Sequence, residues 1–256
     1  MMRLAVVALL VAASAVTASG LEVWDQVVLN EVYYYVPGFD AHNEYFEILN
    51  AGGMTAYLDG AIVTDEGQDG KPEGVFKFPG RPGDTEIPIE PGRYMIIAID
   101  AVEGEVTPDL TIADWELWHP GDDNDNPDVP NLVLCSGADA DMALANCGDG
   151  LLIATGEDTT AAVDWSTIVD GVNWGDVTDP VPISWLVWVD PEYAPLVPQG
   201  NCLGRCPVGI DQNVSSAADW FMMIPSPGEL NIPSHPGDCT TSVRGATWGL
   251  LKALYR

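Results

Sequence analysis

Apolar positions come in short bursts along this chain, divided by turn residues. Val28, Val32 and Tyr34 share one alternating parity, and Tyr45, Phe46, Ile48 and Leu49 form a compact run between polar ends. Ala61-Ile62-Val63-Thr64, Val75-Phe76-Lys77-Phe78 and Tyr94-Met95-Ile96-Ile97-Ala98-Ile99 follow, with Gly, Pro and Asp between them. Bursts of this length, spaced by turns and lacking a capped helical period, predict an all-β, antiparallel sandwich rather than βαβ units. Strands resume at Leu151-Leu152-Ile153 and continue through residues 161–165 and 167–174 to the run Ala218-Asp219-Trp220-Phe221-Met222-Met223. Two long connections interrupt the pattern, at about residues 100–146 and 180–206, and long connections in a sandwich are commonly functional or mobile.

The ends read differently from the middle. Arg3, the apolar residues 4–13 and the small residues around Val16-Thr17-Ala18 have the layout of an export signal over residues 1–20. Cleavage is expected after Ala18 or after Gly20. The mature sandwich is then expected over residues 21–231, followed by a linker and a basic amphipathic tail over 232–256. In that tail Trp248, Leu251 and Leu254 or Tyr255 recur at helical spacing beside Lys252 and Arg256. It resembles endings found on exported bacterial proteins, so a sorting or attachment signal, contacting export machinery or a membrane surface, stands beside a helix packed on the core.

The order of the turn and strand phrases resembles a bacterial lamin-tail domain. The phrases are Asn30-Glu31 in the first strand, Glu44-Tyr45-Phe46-Glu47-Ile48-Leu49-Asn50, Leu58-Asp59-Gly60 and Pro91-Gly92-Arg93-Tyr94. Asn146-Cys147-Gly148-Asp149-Gly150-Leu151, Ile168-Val169-Asp170 and Ser226-Pro227-Gly228-Glu229-Leu230-Asn231 complete the series. The resemblance implies an immunoglobulin-like β-sandwich with a binding or structural role and implies no reaction. The residues themselves suit structure: Glu44 and Glu47 are placed to accept hydrogen bonds from turn N–H groups. Asp59, Asp149 and Asn231 can bond local backbone, and the glycines suit turns.

Charge sharpens the picture. The chain carries 39 acidic and 9 basic residues, a net charge of −30. From Tyr94 to Gly204 it has 21 Asp and Glu and no Lys or Arg. Such a surface repels phosphate backbones, which disfavours nucleic acid as a partner. It suits divalent cations and basic or neutral partners, with an envelope or extracellular protein or glycan as the class expected. A hydrophobic content of 47% with nine Trp excludes disorder.

Candidate chemistry is sparse. His42, His119 and His235 are scattered, and neither a nucleophile elbow nor an H-E-x-x-H helix is present. Asp40, His42 and Glu44 alternate, as metal ligands or as a solvent-facing strand edge. Asp122, Asp123, Asp125 and Asp128 concentrate hard oxygen ligands in one loop, the candidate calcium site. Pro127 and Val133 stand where an EF-hand loop requires Gly and Glu, so any site there is irregular. Trp115, Trp118, Trp185 and Trp188 are candidate ligand-facing aromatics, against the ordinary alternative of core packing. They motivate a second functional class, a secreted polysaccharide-active hydrolase or its carbohydrate-binding accessory module. Cys135, Cys147, Cys202, Cys206 and Cys239 are disulfide candidates in an exported chain. Cys135 with Cys147 would close a short loop, Cys202 could pair with Cys206, or one of those two could reach Cys239. A non-enzymatic, exported module at the periplasm, cell surface or exterior is the first expectation.

Overall fold

The computed structural model describes residues 27–38, 43–66, 72–99, 113–117, 126–135, 142, 144–155, 168–175, 193–206, 208 and 216–235. The strands are β1 (Val27–Tyr33), β2 (Tyr45–Asn50), β3 (Ala56–Tyr57), β4 (Ile62–Glu66), β5 (Pro72–Lys77), β6 (Pro88–Ile89) and β7 (Tyr94–Ala98). They continue with β8 (Trp115–Glu116), β9 (Val133–Leu134), β10 (Gly148–Ala154), β11 (Ile168–Gly175) and β12 (Cys202–Arg205). A four-residue helix, α1 (Ser216–Asp219), leads into β13 (Trp220–Ile224) and β14 (Ile232–Pro233). One sheet has the order β14-β13-β12-β1-β2-β7-β8, and the other β11-β10-β4-β5-β9. A two-strand ladder joins β3 to β6. Pairing is antiparallel apart from β7 with β8. This is the two-sheet antiparallel sandwich that the turn spacing predicts.

The inner faces of the two sheets supply the core. Leu29, Phe46, Ile48 and Ile97 come from the first sheet, and Val63, Phe76, Leu151, Ile153 and Val172 from the second. Trp174 of β11 lies stacked on Tyr34, with ring centroids 4.8 Å apart and planes at 15°. Such pairing adds roughly 0.5–1.5 kcal/mol beyond the area it buries.

A bulge corrects the expected parity of the first strand. The β1–β2 register shifts between Leu29 and Glu31, leaving Asn30 as the extra residue. Val27 and Leu29 face the core before it, and Val32 and Tyr34 after it, so Val28 falls on the other side from Val32. One inserted residue reverses alternation downstream, which strict period-two reading misses.

The expected insertion and domain boundaries also move. β12, the neighbour of β1 in mid-sheet, lies inside the stretch read as the second insertion, 180–206. Its sequence Cys202-Leu203-Gly204-Arg205 has little strand propensity, and pairing on both edges imposes the extended form. The first insertion, 100–146, contributes β8 to the edge of one sheet and β9 to the edge of the other. β14 extends the sandwich past Asn231, and its Pro233 is tolerated because the strand is an edge. The expected strand at 161–165 lies outside the described residues.

Arg205 locks the two sheets together from β12. Its Nε donates to the Leu29 carbonyl at 2.6 Å and Nη2 to Asp170 Oδ1 at 2.5 Å. Nη1 reaches Asp219 Oδ2 at 3.5 Å, and the guanidinium carbon lies 4.9 Å from the centroid of the Trp220 ring. Asp170 stands on β11 of the opposite sheet, and its Oδ2 accepts from the Leu29 N–H at 2.8 Å. All three charged residues are buried. Truncating one member of such a set strands the rest in low dielectric. Arg205→Ala is therefore expected to cost about 3–5 kcal/mol, measured by urea unfolding. A loss under about 1 kcal/mol, the scale of a surface pair, would show that the tie contributes little.

Candidate functional site

Three of the motif phrases, those of Asn30-Glu31, Glu47 and Ser226–Asn231, converge on the outer face of the first sheet, opposite the sandwich core. The bulge at Asn30 turns Glu31 to that side. Its cross-strand partner is Glu47, and two residues on, Tyr33 pairs with Tyr45. The closing segment, residues 226–231, folds over this pair. Glu31 Oε1 accepts from the Ser226 N–H at 3.0 Å, and Oε2 from the Ser226 hydroxyl at 2.8 Å. The Tyr45 hydroxyl and the Cys202 thiol also donate to Glu31. Glu47 Oε1 accepts from Asn30 Nδ2 at 2.7 Å, and its Oε2 from the Gly228 N–H at 2.6 Å. Asn231 completes the clasp by donating to the carbonyls of Asn30 and Arg205, each at 3.0 Å. Its Oδ1 accepts from Asn30 Nδ2 at 3.0 Å.

That close approach depends on Gly204. A Cβ there would lie 2.7 Å from Met223 Cγ and 2.9 Å from Asn231 Nδ2. The missing side chain is what lets the Asn231 amide reach the backbone of β12.

Burial controls the electrostatics. It raises the Glu31 carboxyl above its ordinary range, against the opposing pull of the Tyr45, Ser226 and Cys202 donors. Burial, then the charge of Glu31, lifts Glu47 to about 8, partly offset by the Gly228 N–H and Asn30. The same two causes push the Tyr45 hydroxyl and the Cys202 thiol well above their usual values. A carboxylate pair with one high member is a familiar acid–base arrangement. Here, however, both glutamates are 0% exposed, and their hydrogen-bond donors are groups of the fold itself. The arrangement holds backbone together.

The remaining motif residues do the same work elsewhere. Glu44 Oε2 accepts from the Leu144 N–H at 3.2 Å, the turn-capping role expected of Glu44 and Glu47. Asp149 accepts from the local N–H groups of Ala145 and Gly150, each at 2.7 Å. Asp59 reaches farther than expected, to the N–H groups of Glu86 and Ile87 at 3.1 and 3.0 Å. Asn231 is likewise long-range rather than local. Gly60, with φ +72°, sits so tightly that a Cβ would be 2.6 Å from Pro82 Cδ.

The other candidates are not brought together. Asp128 is exposed, and its N–H donates to Asn126 Oδ1 at 3.1 Å in a local turn. Asp122, Asp123 and Asp125 lie outside the described residues, among which no group of three His, Cys, Asp or Glu could hold a metal ion. Asp40 and His42 also lie outside, and Glu44 is buried rather than solvent-facing. Trp115 is half-buried and packs edge-on against Phe78 at 5.3 Å, as part of the core boundary. Trp118, Trp185 and Trp188 lie outside the described residues. Cys135, Cys147 and Cys202 are reduced thiols, which overturns two of the expected pairings. Cys135 follows β9 and Cys147 precedes β10, with β5 and β4 between those strands. That is about 14 Å at the usual strand spacing, far beyond disulfide reach. Cys202 and Cys206 stand at opposite ends of β12, about 13 Å apart in extended chain. Cys239 lies outside the described residues.

Sequence reasoning missed the Arg205–Asp170–Asp219 set and the placing of Tyr45 and Cys202 beside Glu31. One signal was available for the first. Arg205 is the first base after the long base-free run, and it sits between apolar and cysteine residues where a solvated charge is out of place.

No protein-family model matches this chain, and no curated protein does. Among solved structures it is similar to a DUF4876 family protein from Bacteroides thetaiotaomicron, known from a crystal structure. The TM-score is 0.59 at 14% identity, covering 85% of this chain and 74% of that one. At that identity the likeness is one of fold.

The clasp makes a specific demand on Asn231. Asn231→Ala leaves the carbonyls of Asn30 and Arg205 without their buried donor, and is expected to cost about 1–3 kcal/mol. Thermal and urea unfolding would measure it, and an unchanged midpoint would contradict the assigned bonds.

Proposed function

We propose that this chain is an exported, non-enzymatic β-sandwich of the lamin-tail type, a binding or structural module of the bacterial envelope or surface. The observation that carries the reading is the burial of its motif residues. Asn30, Glu31, Glu47, Asn50, Asp59, Asp149 and Asn231 are all inside the fold, and those whose bonds are described hold its backbone. Motif residues committed to folding leave partner contact to the loops and to the acidic surface. The net charge of −30 favours basic or neutral partners.

Export is supported by the character of residues 1–20 and by one cysteine. Cys206 is disulfide-bonded. Cys135, Cys147 and Cys202 are not disulfide-bonded. A structural disulfide belongs to an oxidising compartment. Protein made from the full gene should therefore be recovered outside the cytoplasm without its leader. It should titrate three thiols in denaturant and five after reduction. Cytoplasmic retention, or five thiols before reduction, would reject this reading.

Calcium enters through the loop that carries Asp122, Asp123, Asp125 and Asp128. An ion held there stabilises the native state by about 2.7 kcal/mol at a hundredfold excess over Kd. Chelation at matched ionic strength is expected to lower the melting temperature, and identical melting curves would remove calcium from the proposal. Screening the same protein against a polysaccharide panel separates this class from the hydrolase, for which turnover would be decisive.

A further inference from the structure

We infer that residues 226–231 form a pH-released clasp, closed on the outer sheet face while the Glu31–Glu47 pair carries a single charge and loosened when both carboxylates are ionised. The inference is independent of the proposed function and rests on geometry.

The two carboxylates are direct cross-strand partners on β1 and β2, and both are fully buried. Like charges directly opposite one another in a ladder repel, and burial magnifies the repulsion. The groups that act on the pair are Tyr45 from β2, Cys202 from β12, Tyr94 from β7 and Asp114 ahead of β8. Each of them is neutral or acidic. The nearest base in the chain order of these strands, Arg205, spends its guanidinium on the opposite face with Asp170 and Asp219. No cation is among the groups that act most strongly on the pair.

The segment over the pair is held largely through the same carboxylates. Ser226 is tied to Glu31, and Gly228 to Glu47. Asn231 reaches Glu47 through Asn30 and also holds the Asn30 and Arg205 carbonyls directly, while β14 and Ser234 beyond it are held separately by β13 and Asn201. Loss of the clasp would loosen residues 226–231, while β14 stays paired with β13. A segment closed by a few polar bonds at the end of the chain can open at less cost than the sandwich as a whole.

The sign follows from burial. Glu47 has an ordinary value of 4.5 that the closed clasp raises to about 8, so its proton stabilises the closed form. That stabilisation is complete below pH 4.5 and is lost as pH climbs toward about 8. Glu31 is shifted in the same direction.

Amide hydrogen exchange on the full chain at pH 5 and pH 8, corrected for intrinsic rates, tests the clasp. Protection at Ser226 and Gly228 is expected to fall at least tenfold, since each pH unit between about 4.5 and 8 changes the opening constant by up to about tenfold. Leu152 in β10 should fall far less, and Glu47→Gln should abolish the drop at Gly228. Equal protection at both pH values, an equal drop at Leu152, or a drop that persists in Glu47→Gln would overturn the inference. Should that variant fail to fold, carboxyl-carbon titration of the wild-type chain decides. A Glu47 midpoint near 8 that tracks the Gly228 amide supports the clasp, and one in the ordinary carboxylate range refutes it.

Discussion

One extra residue in β1 organises much of this molecule. With Asn30 bulged out, the strand presents Leu29 inward and Glu31 outward, although only one residue separates them. On the inner side the Leu29 backbone gives its N–H to Asp170 of the opposite sheet and its carbonyl to Arg205 of its own. On the outer side Glu31 meets Glu47 and receives the closing segment. An unbulged β1 would carry Glu31 and Val32 on swapped faces, placing a carboxylate in the apolar core and a valine under the clasp. Bulges that re-aim side chains in this way behave as designed features.

The two polar sets on either side of β1 solve the problem of buried charge differently. Arg205 faces two carboxylates and an aromatic ring, so opposite charges and hydrogen bonds offset desolvation. Glu31 and Glu47 have no such partner, and protonation offsets it instead. The first solution is insensitive to pH across the neutral range because arginine keeps its proton. The second is sensitive by construction. A strongly acidic protein with few bases has little else to place beside a buried glutamate, and the single Arg205 is already committed.

Convergence of the motif phrases also bears on what the protein does. Asn30, Glu47 and Asn231 are widely separated in sequence, yet they share one amide-and-carboxylate network. Their chemistry is consumed in closing the sandwich. That leaves the loops and the acidic surface free of this structural task, which is what the proposed module role rests on.

Sequence alone determined the class of fold. Short alternating runs such as Tyr45–Asn50 and Tyr94–Ala98, cut by Gly and Pro turns, admit little besides an antiparallel sandwich. It also marked the capping role of Glu44 and Glu47, because a carboxylate flanking an apolar pair has backbone donors as its natural partners. Tertiary structure decided what local pattern could not carry. Cys202–Arg205 became a central strand because β1 and β13 supply its hydrogen bonds from far along the chain, against its own weak propensity. The Cys135–Cys147 pairing failed because strand order, invisible in spacing, sets the distance between them. The carboxylate pair and the Arg205 tie appeared only once the register of β1 was fixed. A bulge is one residue's choice of backbone, and it is settled by packing on both faces of the sheet rather than by the residue itself.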